Sequence, residues 1–167
     1  MKRPIYSIGH GARTPEALIE ALASRGVTYL LDVRSVPIAR YHEHFSQQPL
    51  QEMMGAVGIK YVFLGDALGG KPKDPALIKD GRADYEAIRA STAFQRGIAR
   101  VKQAWSMGLG VCMFCGEGRP HGCHRSRLIG RALTDEGIEV HHILPDNAEI
   151  LQSRLDEATQ AHQLGLF

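Results

Sequence analysis

The chain has 167 residues, 44% of them hydrophobic and 23% charged, with a net charge of +2. That size suits one domain with its own core, and the small positive balance permits an anionic partner without demanding one. No apolar run approaches the roughly 18 residues a membrane span needs, which excludes a membrane partner of that kind. The three cysteines, all within 112–123, do not make a disulfide framework.

Residues 4–9 read as a first strand that ends in Gly9-His10-Gly11. Thr14-Pro15-Glu16 opens a helix with Thr as N-cap and Pro in the first turn. Ala17, Leu18, Ala21 and Leu22 recur there at helical spacing, and Gly26 closes it. Residues 27–33 are nearly all apolar, as suits a parallel strand covered on both faces. A helix over 50–57, stopped by Gly58, leads to a third strand over 59–64. Residues 65–82 mix Gly, Pro, Lys and Asp without period and read as a long loop, the kind of segment that often carries function. Residues 85–107 are helical with a break near Ser91-Thr92, 109–115 form the fourth strand, and a helix follows over 126–133. The fifth strand is 138–144, and a last helix runs over about 147–162.

This alternation predicts an α/β fold: a single-domain, three-layer sandwich with a five-stranded, mainly parallel, Rossmann-like sheet. The expected strand order is 3-2-1-4-5, with 2-1-3-4-5 as the alternative. The domain is expected to span 1–160, leaving 161–167 as a tail. The start, Met1-Lys2-Arg3-Pro4, lacks the apolar region of an export signal, so a cytoplasmic location is expected.

The densest chemistry lies in Cys115-Gly-Glu-Gly-Arg-Pro-His-Gly-Cys-His-Arg125, between the fourth strand and the next helix. In open α/β sheets ligands sit outside the carboxyl ends of strands. Strand ends here also bring His10, Asp32 and Arg34. Glu117, beside a buried strand, suits a general acid or base, and Asp32 suits proton or water handling. His10 and His124 would assist. Arg34, Arg40 and Arg125 suit a phosphate or carboxylate clamp, with Tyr61, Gly69 and Gly70 grouped with them as substrate-binding candidates. Salt bridges and loop caps remain open as roles for the same acids.

Cys115 and Cys123 are the thiol candidates, Cys123 near a helix N-terminus that would favour its thiolate. Cys112 is expected in the core, because its odd separation from Cys115 points the two side chains to opposite faces of a strand. Cys115, Glu117, Cys123 and His124 are candidate zinc or iron ligands. Their spacing matches no standard zinc module, so the cofactor is left unassigned. His42, His44, His141 and His142 are given no chemical role.

The last residues, Gln163-Leu-Gly-Leu-Phe167, resemble the Q-L-x-L-F peptide by which bacterial polymerases and repair proteins dock on the DNA sliding clamp. Gln163, Leu164, Leu166 and Phe167 are the contacts this implies. Folding of the same leucines onto the chain's own core is the competing reading.

Ile8-Gly-His10, Asp32-Val-Arg-Ser35 with Pro37 and Arg40, Phe45, Gly58-Ile-Lys-Tyr61, Leu68-Gly-Gly70, Cys115-Gly-Glu117, Cys123-His-Arg125 and Val140-His-His-Ile143 together resemble the DUF488 family of uncharacterised prokaryotic proteins. The resemblance reaches to about residue 145. It departs at Gly11, where Ser is usual, and at Arg40-Tyr-His, where a more basic run is common. It implies an α/β domain and no established reaction, although a loose DNA-repair label is attached to some relatives. The leading expectation is an enzyme of DNA maintenance or repair, recruited by the sliding clamp and hydrolysing a nucleotide or nucleic-acid substrate. A thiol- or metal-dependent enzyme on a small substrate, and a non-catalytic DNA-associated adaptor, remain the alternatives.

Overall fold

Apolar strands alternating with one-faced helices assemble into three layers, seen in a computed structural model that describes residues 2–165. The elements run β1 (Ile5–Gly9), α1 (Pro15–Ala23), β2 (Tyr29–Asp32), α2 (Gln47–Ala56), β3 (Lys60–Phe63), α3 (Gly65–Leu68), β4 (Ile78–Lys79) and β5 (Arg82–Ala83). They continue with α4 (Tyr85–Ala90), α5 (Thr92–Ser106), β6 (Val111–Cys115), α6 (Arg131–Asp135), β7 (Val140–Ile143), β8 (Glu149–Leu151) and α7 (Gln152–Gln163). No helix among the described residues is long and apolar enough to cross a membrane.

The mainly parallel sheet and the three-layer α/β class agree with the pattern in the chain. Its order is β3-β2-β6-β1-β7-β8, with only β8 antiparallel. The five expected strands correspond to β1, β2, β3, β6 and β7, so their order is 3-2-4-1-5. Neither 3-2-1-4-5 nor 2-1-3-4-5 is adopted, and a sixth strand is added. The reason lies in β6, whose Val-Cys-Met-Phe-Cys is buried at every position. The most apolar strand takes the interior, pairing Cys112 with Leu30 on one side and with Tyr6 on the other. The β1–α1–β2 crossover leaves a strand's width for it.

Two cores flank the sheet. Leu18 and Leu22 of α1 and Leu50 and Met54 of α2 pack with Ile8, Leu30, Cys112 and Phe114. Phe94, Ile98 and Val101 of α5 pack on the other face with Leu31, Met113, Leu128 and Leu133. Helix starts follow capping chemistry: Thr14 Oγ1 accepts from the Ala17 amide at 3.1 Å, and Ser91 Oγ from the Phe94 amide at 3.2 Å. The Ser91 cap is what divides α4 from α5.

Three expectations are revised. The region 65–82 contains α3 and a small hairpin, β4–β5, turned by Asp80 (φ 53°) and Gly81 (φ 74°). Positive φ at both central residues is what an Asp-Gly hairpin turn requires. The helix after β6 begins as a π-helical turn, Arg125–Gly130, before α6. The final helix starts at Gln152 rather than near 147, because Asn147 adopts φ 68° and turns the chain into β8.

Candidate functional site

Beyond Cys115, loop 116–124 folds back over the sheet end, and Arg125 holds it there. This arginine is fully buried. Its Nη1 donates to Ser7 Oγ at 2.8 Å, and its Nη2 to the Glu117 and Gly118 carbonyls at 2.9 and 3.1 Å. The loop runs so close to β1 that a Cβ at Gly9 would lie 1.4 Å from the Glu117 carbonyl oxygen. Only glycine admits that approach.

The fold-back brings Cys123 Sγ to 3.2 Å from Cys115 Sγ and 3.8 Å from His124 Nδ1. His124 Nε2 lies 2.8 Å from the Val33 carbonyl oxygen. A carbonyl only accepts, so Nε2 carries a proton, which leaves Nδ1 as the nitrogen that faces the sulfurs. The hydrogen bond from Cys123 holds the Cys115 thiol well below the usual range, against the upward pull of burial. The same bond, together with burial, pushes the Cys123 thiol up. Cys112, entirely in the core, is pushed up to about 12 by burial.

These groups floor a pocket of about 390 Å³, walled by Arg34, Ser35, Val36, Ile38, Lys71, Tyr85 and Glu117. Asp32 aims Arg34 by a bidentate pair, accepting from Nε at 2.9 Å and Nη2 at 2.8 Å, while Tyr61 Oη donates to the same carboxylate at 2.5 Å. The Arg34 Cζ lies 4.9 Å from the Phe114 ring centroid. Its Nη1 is buried without a hydrogen-bond partner. A neighbouring groove of about 860 Å³ shares Gly70 and Tyr85 with the pocket and carries Lys79, Arg82 and Arg127 beside Asp80, Asp84 and Glu86.

Arg34, Gly70, Cys115, Glu117, Cys123 and His124 thus meet as the sequence suggested. The other candidates fall elsewhere. Asp32 is wholly buried with both oxygens engaged, so it positions Arg34 rather than handling water. Tyr61 serves Asp32 and not a substrate. Arg125 binds backbone carbonyls beneath the loop, and Arg40 is exposed outside the pocket lining, so no three-arginine clamp forms. Gly69 packs against Ser35, where an added Cβ would lie 2.2 Å from Oγ. Glu117 reaches the pocket but is exposed, without the desolvation expected for it. His10 lines a separate cleft with Arg13 and Thr14, stacked 4.8 Å from Phe45. Burial and then nearby Arg34 lower its pKa, while its hydrogen bond to Gly11 opposes them. Gln163 ends α7 and Leu164 follows it, exposed; Leu166 and Phe167 lie outside the described residues.

Sequence reasoning did not find Ser35 or Tyr85 in the pocket wall. Nor did it find the buried chain Arg125–Ser7–His142–Gln152, in which His142 lies 2.5 Å from Ser7 Oγ and 2.6 Å from Gln152 Oε1. A polar pair inside the apolar runs of β1 and β7 was the available signal.

A family model described as "Domain of unknown function DUF488" matches residues 14–132. No curated protein and no solved structure matches the chain.

Proposed function

The chain belongs to the DUF488 family, and we propose that it is an enzyme whose reactive centre is the Cys115–Cys123–His124 cluster, acting on an anionic substrate held by Arg34 and Lys71. The observation that carries this is the cluster's position: two sulfurs 3.2 Å apart on the floor of a pocket walled by two cations. Burying a guanidinium nitrogen without a partner is costly unless a ligand supplies one. Arg34 lines the pocket and its Nη1 has no partner, so a small shift of the side chain would let an anion's oxygens complete its set. A merely structural cysteine pair does not need a cationic wall.

A phosphate-bearing substrate, nucleotide or nucleic acid, is the form of this proposal that also uses the adjoining groove, where Lys79, Arg82 and Arg127 offer phosphate contacts past Tyr85 among the carboxylates of Asp80, Asp84 and Glu86. Hydrolysis is the reaction class proposed. Recruitment by a DNA sliding clamp through Gln163, Leu164, Leu166 and Phe167 is the second element, supported by the peptide pattern. A peptide of residues 160–167 is expected to bind a bacterial clamp, with Phe167→Ala abolishing binding. Equal binding by both peptides, or none by either, removes the recruitment proposal.

Alkylation tests the centre. In metal-free, reduced protein, anionic iodoacetate is expected to modify Cys115 or Cys123 faster, relative to neutral iodoacetamide, than it modifies free cysteine. Pyrophosphate is expected to protect, and Lys71→Ala to weaken pyrophosphate binding roughly tenfold, the loss of one charged contact. Cys112, buried in the core, is the unreactive internal control. No anion preference and no protection would leave the adaptor reading in its place.

A further inference from the structure

We propose that Cys115, Cys123 and His124 form a binding site for a divalent thiophilic cation of the Zn²⁺ class, with one coordination position open to the pocket. This rests on the cluster named above as the reactive centre and specifies what that centre holds. The three ligand atoms all lie within 4.8 Å of one another. They come from two places that the fold holds rigidly: the last residue of the central strand, and the two residues that lead into the π-helical turn. Cys123 is anchored there because its carbonyl accepts from the Ser126 and Arg127 amides at 3.1 and 3.0 Å.

The donor set is suited to zinc in kind and in arrangement. Two thiolates and an imidazole with no fourth protein ligand is a pattern of sites that keep a position for water or substrate, whereas closed structural sites use four. Among the described residues no fourth His, Cys, Asp or Glu joins the group. At Zn–S lengths of about 2.3 Å, two sulfurs on a tetrahedral ion stand roughly 3.7 Å apart. The observed 3.2 Å needs to open by about half an ångström.

The surroundings supply what such a ligand set requires. A metal-bound imidazole is ordinarily oriented by a hydrogen bond from its other nitrogen. Val33 provides it, at 2.8 Å from Nε2, and so leaves Nδ1 as the donor nearest the sulfurs. Gly70 packs against the opposite part of this side chain, where a Cβ would lie 2.8 Å from His124 Cβ and Cγ. The ring is therefore fixed without steric crowding. Adjacent residues such as Cys123 and His124 seldom reach one ion. Here the turn into the π-helix lets both side chains face Cys115. Arg34 and Lys71 stand across the same pocket, where they would hold an anion against the open position.

The full chain, purified under reductant, is expected to carry stoichiometric Zn²⁺ by mass spectrometry and to take it up again after chelation. Co²⁺ should give a thiolate-to-metal charge-transfer band. Cys115→Ser, Cys123→Ser and His124→Gln are each expected to weaken Zn²⁺ by more than the roughly 10–100-fold that follows loss of an orienting hydrogen bond. Cys112→Ser, outside the cluster, should leave it unchanged. Folded wild-type apoprotein that takes up neither ion at micromolar concentration overturns the proposal even if a variant fails to fold. So does uptake that survives all three substitutions. The alkylation preference in metal-free protein separates the two claims. Anion preference without metal uptake removes the cation site and keeps the thiol enzyme, and metal uptake without anion preference removes the anionic substrate.

Discussion

Asp32→Ala is expected to destabilise the protein by about 3–5 kcal/mol, as removal of one partner from a buried ion pair does. Asp32 is fully buried and accepts four hydrogen bonds: from the Arg34 amide at 3.2 Å, Nε at 2.9 Å and Nη2 at 2.8 Å, and from Tyr61 Oη at 2.5 Å. Its loss strands the guanidinium of Arg34, a residue that is itself only 6% exposed. Burial and the bond to Asp32 also raise the Tyr61 pKa, so the phenol remains a donor and loses its acceptor in the variant. Urea unfolding measures the effect. The double variant Asp32→Leu/Arg34→Met should recover a large part of the loss, since apolar replacement of a whole buried pair is often neutral or favourable. A single-variant change under 1 kcal/mol would mean that the carboxylate is not the anchor of Arg34. It would restore a chemical role for Asp32.

Acidification is expected to remove stability through His142. Burial first, then the nearby Arg125 charge, lower its pKa from 6.5 to about 3, against the opposing bond to Gln152. Gln152 Nε2 donates to Asp156 at 2.9 Å, so its Oε1 is the acceptor, and His142 Nε2 donates to it. The remaining Nδ1 accepts from Ser7, which in turn accepts from Arg125. Every proton in the chain has one consistent place, and a protonated ring would turn Nδ1 into a donor and leave the Ser7 hydroxyl hydrogen without its acceptor. The folded state therefore resists a proton that the unfolded chain accepts. The contribution is complete above pH 6.5 and is lost as pH falls toward 3, at up to about 1.4 kcal/mol per pH unit. The full window amounts to roughly 4–5 kcal/mol. In unfolding series at stepped pH, the stability advantage of wild type over His142→Gln should shrink steadily below pH 6.5. An advantage that stays constant with pH would show that the ring takes up its proton in the fold as readily as in the unfolded chain.

Local order was legible wherever one residue type settles a local choice. Thr14-Pro15 announced α1, Ser91 divided α4 from α5, and the apolar runs marked five parallel strands with helices between them. The Asp80-Gly81 hairpin is equally readable from its dipeptide, although the lack of periodicity over 65–82 hides the two short strands that flank it. Cys115, Glu117, Cys123 and His124 stood close enough in the chain to be grouped as one site in advance.

Strand order and the roles of the charged residues were settled only in three dimensions. A crossover long enough to skip a strand looks the same in sequence as one that does not, so the insertion of β6 between β2 and β1 depended on which strand most needed burial. An arginine's job depends on what lies within about 3 Å of it. Arg34 meets a carboxylate and a pocket, Arg125 meets loop carbonyls, and Arg40 meets solvent, although all three read alike along the chain. The amino-acid sequence alone determined the elements and the reactive groups, because backbone preference and side-chain chemistry are local. Which groups face one another was decided by packing, because burial is a property of the whole fold.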